Sequence, residues 1–218
     1  MDADGLEGEA LTFACAMSVE ERIARRLGPT VRIGLGAANG LPPEGRFVSF
    51  GIAGALAPGL EIGTVIDATR VVDEHGEVLW EGAPLGIESA VTGTILGASR
   101  IIDDPSERAR LHESSGADAV DMESGPLARA GRLAGCIRAI SDAPGRELAG
   151  LAEGARPDGD VDYLGLVRGF LRAPRETARA ARDARRALQS LAEASLAMPT
   201  RRRGGLAGTP SNSGISEL

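Results

Sequence analysis

The chain has 218 residues, 43% of them apolar and 25% charged, with a formal charge of −7; this is the make-up of one soluble globular domain, long enough to bury roughly 70% of its unfolded surface without a disulfide or metal staple. Net acidity argues against a generic nucleic-acid binder, and 3% aromatic residues argue against a base-stacking platform or an aromatic carbohydrate cleft. Residues 1–10 are acidic and poor in large apolar residues, and no apolar run approaches 18 residues, so neither a secretory signal nor a membrane span is expected and the location reads as cytoplasmic.

From Ala10 onward a short apolar run, a glycine-rich or acidic turn and a helical pattern alternate. This predicts an α/β protein with a sheet covered by helices on both faces. Residues 11–17 read as a strand and 18–27 as a helix opened by a capping box, with Ser18 as cap and Glu21 returning the bond. Residues 31–36 form a second strand; 47–52, apolar apart from Ser49, form a third and central one. Strands follow at 64–72, 77–80 and 93–96, with a hairpin turn at 73–76. A helix at 106–114, a short strand at 119–121 and a helix at 123–133 come next, the last with Leu127, Ala130 and Ala134 on its apolar stripe. The final strand is 136–141. Cys15 and Cys136 each lie in a strand-like run and read as small buried thiols of a reducing compartment, which excludes a metal–thiolate site. A Gly/Pro/Asp-rich loop at 151–162 leads to a helix at 163–172, and Pro174 opens a long helix to about Met198. Residues 1–198 thus make one domain, and 199–218 read as a disordered tail. No internal repeat is visible.

Gly34-Leu-Gly36-Ala-Ala-Asn-Gly40 follows a strand, but its third glycine is one place late for GxGxxG, and neither the helix nor the acidic residue of a dinucleotide site follows. Phe50-Gly51-Ile52-Ala53-Gly54-Ala55-Leu56 reads either as a tight turn leaving a central strand or as a place where a ligand approaches backbone N–H groups. Glu20, Glu123 and Asp142 each stand just where a strand ends, which is where ligand crevices open in α/β sheets. Each also has a plain reading: first-turn carboxylates complement the helix dipole, and Asp before Ala-Pro-Gly makes an Asx turn. His75 and His112 fall in a turn and on a polar helix, which disfavours a Ser-His-Asp triad.

Four segments occur in a telling order: Ala14-Cys15-Ala16-Met17-Ser18-Val19-Glu20, Phe50–Leu56 with the following residues to Ile66, Val120-Asp121-Met122-Glu123-Ser124, and Arg138-Ala139-Ile140-Ser141-Asp142. With them the chain resembles the nucleoside phosphorylase/nucleosidase superfamily over about residues 10–172, and in particular its methylthioadenosine/S-adenosylhomocysteine nucleosidase type. Through Ile140-Ser-Asp-Ala-Pro-Gly-Arg146 and the arginine-rich end it is most similar to the hopanoid-associated branch, which acts on adenosylhopane.

The resemblance implies a three-layer α/β/α sandwich with a central mixed sheet and a purine N-glycosidic cleavage without cofactor or metal. Asp142 would be the general acid at purine N7 with Ser141 placing it, and Glu20 would activate a water on the opposite face of the sugar. Met17 and Met122 would pack on the ribose, Glu123 would accept bonds from its 2′ and 3′ hydroxyls, and Gly51, Ala53 and Gly54 would line the glycine-rich approach to the substrate. Ile101 stands where the family has a base-contacting aromatic residue, so adenine would be held by aliphatic packing. Hexameric phosphorylases of the family carry an Arg two residues before the first Gly of the second segment and a Ser just after it. Here those places hold Ser49 and Ile52, which favours water over phosphate as co-substrate. Only ten residues separate Gly36 from Phe47, so a homodimer or higher oligomer is expected to complete that face. The substrate expected is an adenosine with an apolar 5′ group. In the C-terminal helix Ala178, Ala181, Ala184, Leu188 and Leu191 make an apolar stripe, while Arg172, Arg175, Arg179, Arg182, Arg185 and Arg186 make a basic surface. That helix suits either a peripheral contact with an anionic membrane or packing on its own domain with a solvated arginine face.

Overall fold

The computed structural model describes residues 11–145 and 174–198; the loop and helix expected between 151 and 172 and the tail beyond 199 lie outside the described residues. The elements run β1 (Thr12–Cys15), α1 (Ser18–Ala24), β2 (Thr30–Arg32), a 3-10 turn (Leu35–Ala37), β3 (Phe47–Ala55), β4 (Val65–Val72), β5 (Val78–Glu81), β6 (Val91–Gly97), α2 (Pro105–Ser115), β7 (Ala119–Asp121), α3 (Ser124–Arg129), β8 (Leu133–Asp142) and α4 (Pro174–Leu196). All eight strands join one mixed sheet in the order β2-β1-β3-β7-β6-β4-β5, with β8 paired to β3 and β4. Because β8 bridges β3 and β4, the strands β3, β7, β6, β4 and β8 close on themselves. β3 is the central element and runs parallel to both β1 and β8.

Period-two patterning divides the sheet into two faces. Phe47, Ala53, Cys136 and Ile140 pack with Leu127 and Ala128 of α3. The alternate residues Val48, Phe50, Ile137 and Ala139 pack with Ala24 of α1 and Ala187, Leu191 and Ala194 of α4. Helices therefore cover both faces, as expected. Leu111 of α2 joins Leu56, Val72 and Leu96 in a third cluster at one side. Phe13 and Phe50 meet edge to face at 5.8 Å, a favoured aromatic geometry.

Four local expectations are corrected. The cap of α1 is Met17, whose backbone is extended, and the N3 residue is Glu20, which accepts the Met17 N–H at 2.8 Å; the capping pair is one residue earlier than the Ser18/Glu21 reading. β3 does not turn at Gly51 but continues to Ala55, paired to β8 almost throughout. α3 stops at Arg129, so Ala130 is exposed and Ala134 belongs to β8. Gly131, at φ 68°, adopts the left-handed conformation that ends a helix, with its N–H on Ala128 and that of Arg132 on Leu127. α4 buries Thr177, Ala187, Leu191 and Ala194, while Ala178 and Ala181 face solvent. A stripe made mostly of alanine sets the helix rotation weakly; the sheet residues beneath Leu191 decide it. The helix packs on its own domain through Ala187, Leu191 and Ala194, and Arg175, Arg179, Arg182, Arg185 and Arg186 are exposed. No described helix is long and apolar enough to cross a membrane.

Candidate active site

Glu20 lies in the first turn of α1, yet it is 2% exposed. Its Oε2 accepts the N–H groups of Ala16 (3.1 Å) and Met17 (2.8 Å), and its Oε1 accepts the N–H of Ile52 on β3 (3.0 Å). Burial pushes the carboxyl above its ordinary value, against the opposing pull of these N–H groups and of Arg138. Gly51 makes the approach possible: a Cβ there would stand 2.4 Å from Oε1. The glycine-rich segment thus admits a carboxylate to the face of a continuous strand, and the Ile52 N–H is spent on Glu20 rather than offered to a ligand.

Arg138, in the middle of β8 and 1% exposed, is the hub of the next group. Its Nε donates to Asp121 Oδ2 at 2.7 Å and its Nη2 to Ser49 Oγ at 2.6 Å, with Glu123 Oε2 at 3.7 Å. Asp121 also accepts the Ser124 hydroxyl at 2.5 Å. Burial opposes the guanidinium charge, but the acidic neighbours, Asp121 first, hold it firmly protonated. Glu123 is 6% exposed. Burial first and the neighbouring Asp121 second push its carboxyl up to about 8, while Arg138 and the Gly36 N–H, donated at 2.9 Å, oppose the shift. The Gly34–Gly40 segment, unsuited to a dinucleotide, therefore orients Glu123. Gly36 sits at φ 58° in that turn, where a Cβ would come within 3.4 Å of Met122 Cε.

Asp142 ends β8, four residues beyond Arg138, an offset of about 13 Å along a strand. It is 7% exposed. Oδ1 accepts the Ser141 hydroxyl at 2.8 Å, and Ser141 Oγ also lies 3.1 Å from the Ala53 carbonyl. Oδ2 is ion-paired to Arg108 of α2. Burial raises the Asp142 carboxyl, and the Arg108 charge and the Ser141 hydroxyl pull the other way. A Cβ on Gly54 would lie 3.1 Å from Oδ2, so this second glycine makes room for the second carboxylate.

The structure brings Glu20, Gly51 and Glu123 around Arg138, sets Met122 against Gly36, and places Ser141, Asp142, Ala53 and Gly54 at the far end of the same pair of strands. Met17 is half-buried at the head of α1. Ile101 is 40% exposed, one residue before the Ile102 carbonyl that accepts the Arg108 Nε–H at 2.9 Å. Arg138, Asp121 and Arg108 were not assigned roles by sequence reasoning. Arg138 carried a signal, since a charge within an apolar strand requires buried partners. Arg108 carried none, because a polar helix of ordinary pattern gives no sign of which arginine turns inward. Cys15 and Cys136 are free and buried, and burial pushes the Cys136 thiol up to about 12, so it stays protonated.

Comparison with known proteins bears on the fold that carries these residues. A family model described as Phosphorylase superfamily matches residues 83–162, the stretch that carries Met122, Glu123, Arg138 and Asp142. Among solved structures, the 5′-methylthioadenosine/S-adenosylhomocysteine nucleosidase of Chlamydia trachomatis superposes with a TM-score of 0.55 at 16% identity, over 85% of this chain and 94% of that one. The corresponding Streptococcus pneumoniae nucleosidase, holding the transition-state inhibitor MT-ImmA, gives 0.54 at 15%, over 87% and 99%. Futalosine hydrolase of Helicobacter pylori gives 0.50 at 14%, over 85% and 96%. No curated protein matches the chain in sequence. The chain shares the fold of these solved structures, a mixed sheet between helical layers.

Proposed function

We propose that the protein is a purine nucleosidase that hydrolyses the N-glycosidic bond of a 5′-substituted adenosine and releases adenine. The observation that carries this reading is the separation of carboxylates along β3 and β8: Glu20 and Glu123 near Arg138, and Asp142 at the strand end. A nucleoside laid along the strands spans that distance, with ribose at the first pair and purine at Asp142. The superposed enzymes, named as nucleosidases and a futalosine hydrolase, support a nucleoside-cleaving activity.

In this reading the C1′–N9 bond breaks with its electron pair moving to the purine, and Asp142 delivers a proton to N7 as that charge builds. Glu123, oriented by Gly36, holds the ribose hydroxyls with Met122 and Met17 against the sugar. The ribosyl cation is met by a water whose oxygen bonds C1′ and whose proton passes to Glu20. Buried acidic groups near C1′ favour a developing positive charge. Phosphate is disfavoured because Arg138, the nearest cation, is already committed to Asp121 and Ser49. The 5′ group is apolar in this proposal, of the adenosylhopane kind, on the strength of the resemblance through Ile140–Arg146.

The test is incubation of dialysed protein with 5′-methylthioadenosine, with and without phosphate, followed by chromatography of base and sugar. Free adenine and free ribosyl sugar at a phosphate-independent rate support the reading. Ribose 1-phosphate formed in proportion to added phosphate overturns the hydrolytic step.

A further inference from the structure

We propose that Arg108 is the positioning residue for proton donation: it holds the Asp142 carboxyl at the end of β8 and ties it to the loop between β6 and α2 that meets the base. This rests on the nucleosidase reading above. Arg108 is 1% exposed although it belongs to a polar helix. Its Nε donates to the Ile102 carbonyl at 2.9 Å, and its Nη1 serves both Asp142 Oδ2 and the Ala143 carbonyl, the latter at 3.2 Å. A buried guanidinium is costly unless its donors are used. Here one side grips the loop that carries Ile101 and the other grips the acid.

The groups facing Asp142 among the described residues are few. Arg108 reaches it from α2, Asp103 acts on it from the loop before that helix, Ser141 donates from its own strand, and β3 contributes only Gly54. Arg108 is the strongest influence that favours the carboxylate over the acid. Burial raises the Asp142 carboxyl and the Arg108 charge pulls it back, so the guanidinium, anchored on the Ile102 carbonyl, sets how readily Asp142 holds and gives up a proton. Asp142 takes up a proton from solvent, passes it to N7 as the glycosidic bond breaks, and returns to the carboxylate that Arg108 holds; Glu20 returns to solvent the proton it takes from the attacking water, so protons balance over the cycle.

The experiment compares R108K and R108M with wild type, each checked for a cooperative melt. One readout is the pH dependence of kcat for adenine release from 5′-methylthioadenosine; the other is the titration of Asp142 by carbon NMR of 13C-labelled aspartate, assigned with D142N. An acid must be protonated to work, so activity falls as pH rises through its titration, and losing a neighbouring cation moves that point upward. In R108M the alkaline limb and the Asp142 titration should both rise by about 1–3 pH units, with kcat at the optimum reduced and KM little changed, and R108K should return both most of the way. Should R108M not fold, R108Q is combined with D142N: a residue acting through Asp142 lowers kcat on its own but gives no further loss of kcat in the double variant. Unchanged titration in the arginine variants, or additive losses in the double variant, overturns the proposal. If wild type releases no adenine, the nucleosidase reading fails, while the NMR titration still decides what Arg108 does to Asp142.

Discussion

Glu20 Oε1 accepts the Ile52 backbone N–H at 3.0 Å, joining the first helix to the central strand across the sheet face. The contact exists because Gly51, next to Ile52, has no side chain where a Cβ would lie 2.4 Å from the same oxygen. Substituting Gly51→Ala should displace the Glu20 carboxylate while removing no reactive group. Misplacing a catalytic group by about 1 Å can cost on the order of 10²-fold in rate. The expected outcome is a drop in kcat of that order, close to that of Glu20→Gln, with a stability loss of about 1–3 kcal/mol from overpacking. Steady-state adenine release and a denaturant melt check both parts.

Asp142→Asn should lower kcat by roughly 10²–10⁴-fold, the usual weight of general acid catalysis, with a smaller effect on KM. The amide keeps the shape of the side chain but cannot supply a proton. Wild-type adenine release by this variant would remove Asp142 from the mechanism.

The Glu123 carboxyl, raised from 4.5 to about 8 by burial and by Asp121, makes stability depend on pH. Between these two values the folded state holds a proton that the unfolded state has released, so this contribution is intact below about pH 4.5 and is lost as pH rises towards about 8. Wild type should therefore melt at progressively lower temperature from pH 5 to pH 8, and Glu123→Gln should flatten that slope. Parallel slopes in the two proteins would contradict the assignment.

α4 belongs to the core: Leu191 and Ala187 are fully buried against Val48, Phe50 and Ile137. Leu191→Ala should cost about 2–5 kcal/mol, as large-to-small changes in packed cores do. Deleting everything from Pro174 onward should leave a chain that does not melt cooperatively, which circular dichroism will show. The arginines on the opposite face are exposed, and replacing Arg179 with Gln should alter stability by no more than about 0.5 kcal/mol.

Residue patterning by itself determined the order of the described strands and helices, because short apolar runs such as those of β3 and β8 and the acidic or glycine turns between elements are local signals. It also located Glu20, Glu123 and Asp142 at strand ends, since in α/β folds those ends are where sites are built. What it could not determine was which groups share a space. The extension of β3 past Gly51 depends on its long pairing with β8, and the glycines are there for carboxylates that arrive from 32 residues before Ile52 and from β8. The inward turn of Arg108 depends on finding Asp142 across the fold, 34 residues away. Only tertiary structure decides such pairings, because a buried charge is stable only where its partner already stands, and that place is fixed by packing rather than by neighbours in the chain.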